Sequence, residues 1–197
     1  MPELKRAAVP LALTAVWIVA AALGLRAFAD YNLKSTAALT QGSMPPAGVA
    51  LFSSKDKDTW SIVVAAHPKC PCTRATVNEL GRLLARAHSK VKVEFLFYRP
   101  EGSGLTWNKT DLWKSACEIP GTVVIDDPNG SLAARLGATV SGETFVYSPD
   151  GKLCFHGGIT GWRGHEGDNA GEDSVIALLN GSKARESDTP VFGCSLQ

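Results

Sequence analysis

The sequence predicts an α/β fold, a central mixed β-sheet flanked by helices, carried behind an N-terminal transmembrane helix. Three observations carry this expectation. Short apolar runs alternate with helical patterns between residues 60 and 136. A turn-linked pair of strand patterns follows, around Ser148-Pro149-Asp150-Gly151. Ahead of both, residues 7–25 carry no charge.

That uncharged stretch, Ala7–Leu25, follows Lys5 and Arg6 and contains Trp17. A length of about 19 residues just crosses a bilayer core. The basic residues ahead of it favour a cytoplasmic N-terminus and an exported remainder. The segment is apolar on every face, unlike a helix packed at the surface of a soluble core. A signal peptide is the alternative, because Ala27-Phe28-Ala29 fits a cleavage site that would leave Asp30 first. The length and the nearby Arg26 favour an uncleaved anchor. Both readings put the domain outside the cytoplasm. The anchored form is a single-pass inner-membrane protein facing the periplasm or the cell exterior. Residues 30–48 read as a tether, 49–181 as one domain, and 182–197 as a tail containing Cys194.

Within the domain a strand is expected at Trp60–Ala66. A helix follows over Pro71–Ala87, with Val77, Leu80, Leu83, Leu84 and Ala87 on one face and Arg74, Asn78, Arg82 and Arg86 on the other. A second strand is Lys92–Tyr98. The next helix, Lys109–Cys117, is stopped by Pro120-Gly121. A third strand is Thr122–Ile125. A short helix, Ser131–Leu136, follows Asp127-Pro128-Asn129-Gly130 and is closed by Gly137. The hairpin Glu143–Tyr147 and Lys152–His156 comes next, then a helix over Gly171–Leu179 stopped by Asn180-Gly181. Right-handed crossovers make the first three strands parallel, and the hairpin adds antiparallel ones.

The chemistry concentrates at His67-Pro68-Lys69-Cys70-Pro71-Cys72, between the first strand and its helix. Pro71 suits the first helical position, where its missing N–H would have no partner. Cys70 is then the N-cap and Cys72 lies in the first turn. A helix N-terminus favours negative charge through its dipole and its free N–H groups. A thiolate there is the reactive form of cysteine. Cys70 is expected to be the more exposed sulfur and the nucleophile. A Cys70–Cys72 disulfide would close a ring of about eleven atoms, which is strained and easily reduced. Export places these thiols in an oxidising compartment. Five cysteines leave at least one without an internal partner. A net charge of +1, with no basic block beyond the N-terminus, gives no indication of nucleic acid.

The strand–Cys70-Pro71-Cys72–helix unit, the phrase Asp127–Gly137 and the phrase Thr144–Lys152 together resemble the thioredoxin-fold family. They are most similar to its membrane-tethered branch near TlpA-type proteins and peroxiredoxins. The His67–Cys72 and Gly164-His165-Glu166-Gly167-Asp168-Asn169 phrases also resemble the RedB-like group. The resemblance covers about residues 50–181 and implies a redox-active dithiol acting on partner protein thiols or disulfides. Two departures matter. The family dithiol is C-x-x-C, and here it is C-x-C. The family's cis-proline position falls on Gly142, which favours metal access to the sulfurs.

In such a fold the segment Gly157–Gly171 emerges at the dithiol end. His165 is then a candidate base or ligand, and Arg163 a candidate stabiliser of a thiolate. A surface loop that only caps the last helix, through Asp168 or Asn169, is the competing reading. Trp162 is a candidate partner surface. Cys117, at the end of the sheet away from the dithiol, is expected to be a buried small hydrophobe. Cys154 and Cys194 are candidates for a structural disulfide; alternatively, the tail brings Cys194 to the dithiol as a resolving thiol.

Three functions are compatible with these residues. A thiol–disulfide oxidoreductase, with Cys70 attacking and Cys72 resolving, agrees with fold, dithiol and export, and needs no cofactor. A copper-binding or delivery protein would hold Cu(I) with Cys70, Cys72 and His67 or His165. A peroxidase is the third, but the threonine that the family places three residues before its cysteine is missing. His67 and Lys69 occupy the two corresponding positions.

Overall fold

The computed structural model describes residues 2–33 and 58–196. They fall into two units, Met1–Lys34 and Ser35–Gln197. The first is helix α1, Pro2–Leu33. Its stretch Pro10–Tyr31 has a mean hydropathy of 2.0 and is long and apolar enough to cross a membrane. The helix runs on through Ala27-Phe28-Ala29 and takes in residues 30–33, where the tether was expected to begin. The rest of that tether, and residues 49–57 of the expected domain, lie outside the described residues.

The second unit is built on a five-stranded sheet. Its strands are β1 (Thr59–Ala66), β2 (Lys90–Arg99), β3 (Thr122–Pro128), β4 (Thr144–Tyr147) and β5 (Leu153–Gly157). The order is β3-β2-β1-β4-β5, so β1 is central. β1, β2 and β3 are parallel, while β4 runs antiparallel to both β1 and β5. The helices are α2 (Pro71–Arg86), α3 (Asp111–Glu118), α4 (Ser131–Leu136) and α5 (Ala170–Leu179).

β1 reads as an almost unbroken apolar run because both faces of a parallel sheet are covered. Its side chains alternate between two cores. Ile62, Val64 and Ala66 join Leu80, Phe95, Phe97 and Val175 on one face. Val63 and Ala65 join Ala133, Leu136, Phe145 and Leu196 on the other. α4 is short and locally determined. Asp127, fully buried, accepts from the N–H groups of Leu132 (2.8 Å) and Ala133 (3.0 Å) at its start. Gly137 ends it at φ 82°.

Two irregular segments position the site. Beyond the paired residues of β1 and β4, Gly142 N–H donates to Ala65 O (2.8 Å) and Ala65 N–H to Glu143 O (2.9 Å). This holds residues 140–142 against the end of β1. Glu143 is buried beneath them. Its carboxylate contacts His156 Nε2 at 2.7 Å and accepts the Thr139 N–H at 3.0 Å. The second segment is a strap, residues 187–196. It starts beside β5, where His156 N–H donates to Ser187 O and Thr189 N–H to His156 O. It then pairs antiparallel with Val140 through Ser195 and buries Leu196 in the second core.

One cysteine sits where the sequence did not put it. Cys117 is exposed rather than buried. α3 buries Leu112 and Ala116, which stand one turn apart, and Cys117 lies about 100° further round the helix.

Candidate functional site

β1 ends at Ala66, the chain turns through His67–Lys69, and α2 begins at Pro71 with Cys70 as N-cap. Cys70 is extended, at φ −97° and ψ 127°, as a residue entering a helix is. Its N–H donates to His67 O at 3.2 Å, and its carbonyl accepts the Arg74 N–H at 3.2 Å. Thr73 Oγ1 accepts the His67 N–H at 3.2 Å, closing the turn from the helix side.

Both sulfurs of the pair are buried, each residue being 1 % exposed. This corrects the expectation that Cys70 would be the exposed one. Ser141 and the strap lie over it. Cys70 forms part of the wall of a surface cleft of about 270 Å³, with Pro68, Arg74, Thr110 and Asp111. A larger groove of about 760 Å³, lined in part by Gly81, Leu84 and Ile119, contains no cysteine.

Cys70 Sγ is surrounded by polar groups. The Ser141 hydroxyl donates to it, and the Cys72 and Cys194 thiols and the Thr73 N–H lie near enough to favour its charge. Ser141 Oγ lies 3.2 Å from the sulfur. These groups, Cys72 first among them, outweigh burial and hold the Cys70 thiol far below its ordinary range, at about 4. These surroundings favour charge on Cys70, which stands at the helix start. Cys72 moves the opposite way. The adjacent Cys70 and burial keep it protonated, although the Gly164 N–H favours its thiolate. Burial and the adjacent Cys70 push the Cys194 thiol up to about 11, against the pull of the Arg163 guanidinium.

Cys194 is therefore at the dithiol. Cys154 and Cys194 are both free thiols in this structure, Cys154 lying on β5 with its thiol directed to Lys152 O (3.5 Å). The strap leaves β5 before it reaches Cys194. Instead Cys194 N–H donates to Ser141 Oγ (3.0 Å) and its carbonyl accepts the Ser141 N–H (2.9 Å).

The glycine-rich loop does come to the site, mainly through its backbone. Gly164 packs on Pro71, and the Glu79 carboxylate accepts the Gly167 N–H. Arg82 bonds Glu79 (2.7 Å) and Glu166 (3.0 Å), tying the loop to α2. Asn169 caps α5 by accepting the Glu172 N–H at 3.0 Å. Arg163 donates to Gly193 O at 2.8 Å, one residue before Cys194. His165 is exposed and stacked on Trp162, with ring centroids 4.0 Å apart. Its partner is thus an indole rather than a thiol.

His67 is held as a structural ring. Nδ1 accepts the Lys69 N–H at 3.3 Å, and the ring stacks on Tyr98 and meets the edge of Trp107. Burial lowers its pKa, opposed by the charge on Cys70, and so favours the neutral ring. Among the described residues no group of three or more His, Cys, Asp and Glu side chains is arranged to hold a metal ion.

Ser141 is the site residue that sequence reasoning missed. The usable signal was its position before Gly142. Gly142 has φ +88°, and a Cβ there would lie 3.0 Å from Thr76 Oγ1 on α2. A glycine lets this segment approach the helix and brings Ser141 over Cys70.

Two solved structures share this architecture. A hypothetical protein from Sinorhizobium meliloti 1021 is 19% identical, with a TM-score of 0.54, covering 84% of this chain and 96% of that one. An uncharacterized conserved protein from Geobacillus kaustophilus is 16% identical, with a TM-score of 0.55, covering 84% and 94%. The fold is thioredoxin-like. A secreted Mycobacterium tuberculosis disulfide oxidoreductase homologous to E. coli DsbE is a weaker match to this thioredoxin-like unit. It is 13% identical, with a TM-score of 0.43, over 64% of this chain and 84% of that one. No protein-family description and no curated protein matches the chain.

Proposed function

We propose that this chain is a thiol–disulfide oxidoreductase, anchored in the inner membrane by α1 with its thioredoxin-like domain outside the cytoplasm. The observation that carries the reading is the Cys70 sulfur at the start of α2, with Ser141 Oγ 3.2 Å away and the Cys72 and Cys194 side chains beside it, surroundings that lower its pKa. A thiolate at neutral pH is the species that attacks a disulfide.

Cys70 attacks one sulfur of a partner protein's disulfide. The Cys70–partner bond forms as the partner's own S–S bond breaks, and the partner's other sulfur leaves as a thiolate. A second thiol of this chain then displaces the partner from Cys70. The partner gains two electrons and this chain holds a disulfide. A dithiol protein reverses the sequence. Export supports the reading, because an oxidising compartment supplies disulfides to exchange with. Arg163 positions Gly193 and favours charge on Cys194, while His165 stacks on Trp162 and His67 on Tyr98.

The test is a glutathione redox titration of the full chain in detergent micelles, with every cysteine mapped by alkylation and mass spectrometry. Cys70 should pass reversibly between alkylatable and disulfide-bonded forms at one defined potential, and Cys70→Ser should abolish exchange with added disulfide. A Cys70 that stays alkylatable across the whole range would overturn the reading. Adding one equivalent of Cu(I) provides a second arm. Protection of Cys70 and Cys72 by copper, without reversible disulfide formation, would replace the oxidoreductase by a copper carrier.

A further inference from the structure

Resting on that oxidoreductase reading, we propose that Cys194, rather than Cys72, resolves the mixed disulfide on Cys70. The working disulfide is then Cys70–Cys194, and it fastens the strap to the site.

The strap is built to hold this thiol in one place. Gly158 leaves room for Pro190, since a Cβ on Gly158 would lie 2.6 Å from Pro190 O. Thr189 Oγ1 donates to Gly158 O at 2.7 Å. Gly193 lies so close to Ser141 that a Cβ would fall 1.9 Å from Ser141 O. Cys194 follows, bonded through both its N–H and its carbonyl to Ser141. Leu196 then enters the core at 2 % exposure. Ser141 Oγ joins the two cysteines, accepting from Cys194 N–H and donating to Cys70 Sγ.

Cys72 is the poorer resolver on two counts, although its side chain lies beside Cys70. A Cys70–Cys72 bond closes a strained ring of about eleven atoms, whereas a Cys70–Cys194 bond closes a loop of more than half the sequence without such strain. Cys72 is also 1 % exposed and held protonated, while Cys194 is half-buried beside Arg163. Timing favours Cys194 too. In the resting state the negative Cys70 opposes ionisation of Cys194. Once Cys70 is bonded to a partner that charge is gone, and the Arg163 guanidinium remains to favour the Cys194 thiolate.

The exchange balances as follows. The Cys70 thiolate bonds one sulfur of the partner disulfide and releases the other as a thiolate. Cys194 gives up its proton and attacks Cys70 Sγ, expelling the second partner sulfur. The Cys194 proton ends on one of the two released partner sulfurs. One disulfide and two electrons have changed places. Cys72 stays a thiol throughout, and its S–H keeps Cys70 a stable thiolate and a good leaving group in the reverse direction.

The experiment treats the full chain in detergent micelles with oxidised glutathione and follows it by non-reducing peptide mapping. Wild type and Cys72→Ser should both yield the peptide pair linked through Cys70 and Cys194. Cys194→Ser should accumulate glutathione on Cys70, with the adduct lasting at least tenfold longer than in wild type. The wild-type map needs no substitution and so does not depend on how either variant folds. If Cys72→Ser accumulates the adduct while Cys194→Ser clears it at the wild-type rate, Cys72 is the resolver: the inference fails and the oxidoreductase reading stands. If Cys70 forms neither adduct nor disulfide in wild type, both fail.

Discussion

The Cys70 sulfur is approached from two sides that are made differently. On the α2 side its neighbours, Cys72 and Thr73, are two and three residues away and come with the helix. On the strap side Ser141 and Cys194 arrive from separate segments, joined by the Ser141 N–H donating to Cys194 O and the Cys194 N–H donating to Ser141 Oγ. The local side supplies the dipole and one thiol. The distant side supplies the hydroxyl, the other thiol and the cover that buries the sulfur. Local sequence therefore makes Cys70 reactive, whereas tertiary packing decides what it meets.

The most disruptive way to break this comparison is Gly193→Ala. The added Cβ would meet Ser141 O, a backbone atom of a residue whose N–H is bonded to Cys194 O, so the strap has to lift. Alkylation of Cys194 in the native protein should speed up at least tenfold while the far-UV spectrum is retained. Unchanged labelling would mean that this contact does not hold the strap.

A finer cut is Ser141→Ala, which removes one donor from a charged acceptor. Such a bond contributes about 1.5–3 kcal/mol, or roughly one to two pKa units. In wild type a thiolate persists above the lowered pKa, so the iodoacetamide rate at Cys70 should be flat from neutral pH down to about 4 and fall below it. Ser141→Ala should move that break upward by about one unit or more. A break that stays in place would assign the lowered pKa to the α2 side alone.

The smallest effect is expected from Asn169→Ala, which uncaps α5 and touches neither side of Cys70 directly. Urea unfolding should show a loss of about 1 kcal/mol. Labelling of Cys194 should change less than twofold. A larger change there would show that the strap depends on the glycine-rich loop.

The same division governs what was legible in the sequence. α4 was expected at Ser131–Leu136 and is found there, because Asp127 and Gly137 mark its ends within a few residues. Pro71 marked the start of α2 and made Cys70 the N-cap. The parallel direction of the first three strands and the antiparallel hairpin followed from crossover handedness and the hairpin turn. The strap was not legible, since its course depends on Gly158 fitting Pro190 and Gly193 fitting Ser141, contacts between segments far apart in sequence. Ser141 was missed for a related reason. A lone serine carries no pattern, and only its place over Cys70 gives it a role. Val191 and Leu196, to which the sequence reading gave no role, are both buried in the domain.

The strap also sets a schedule. Cys194 follows Cys70 by more than half the sequence. At about 5–20 residues per second of synthesis, Cys70 exists for on the order of ten seconds before Cys194 is made. During that interval α2 can form, yet neither the Cys194 thiol nor the Ser141 position it pins is in place. The nascent chain thus carries a Cys70 that has its neighbours on α2 but not yet those of the strap side. Docking of the strap is therefore the step that completes the surroundings of Cys70.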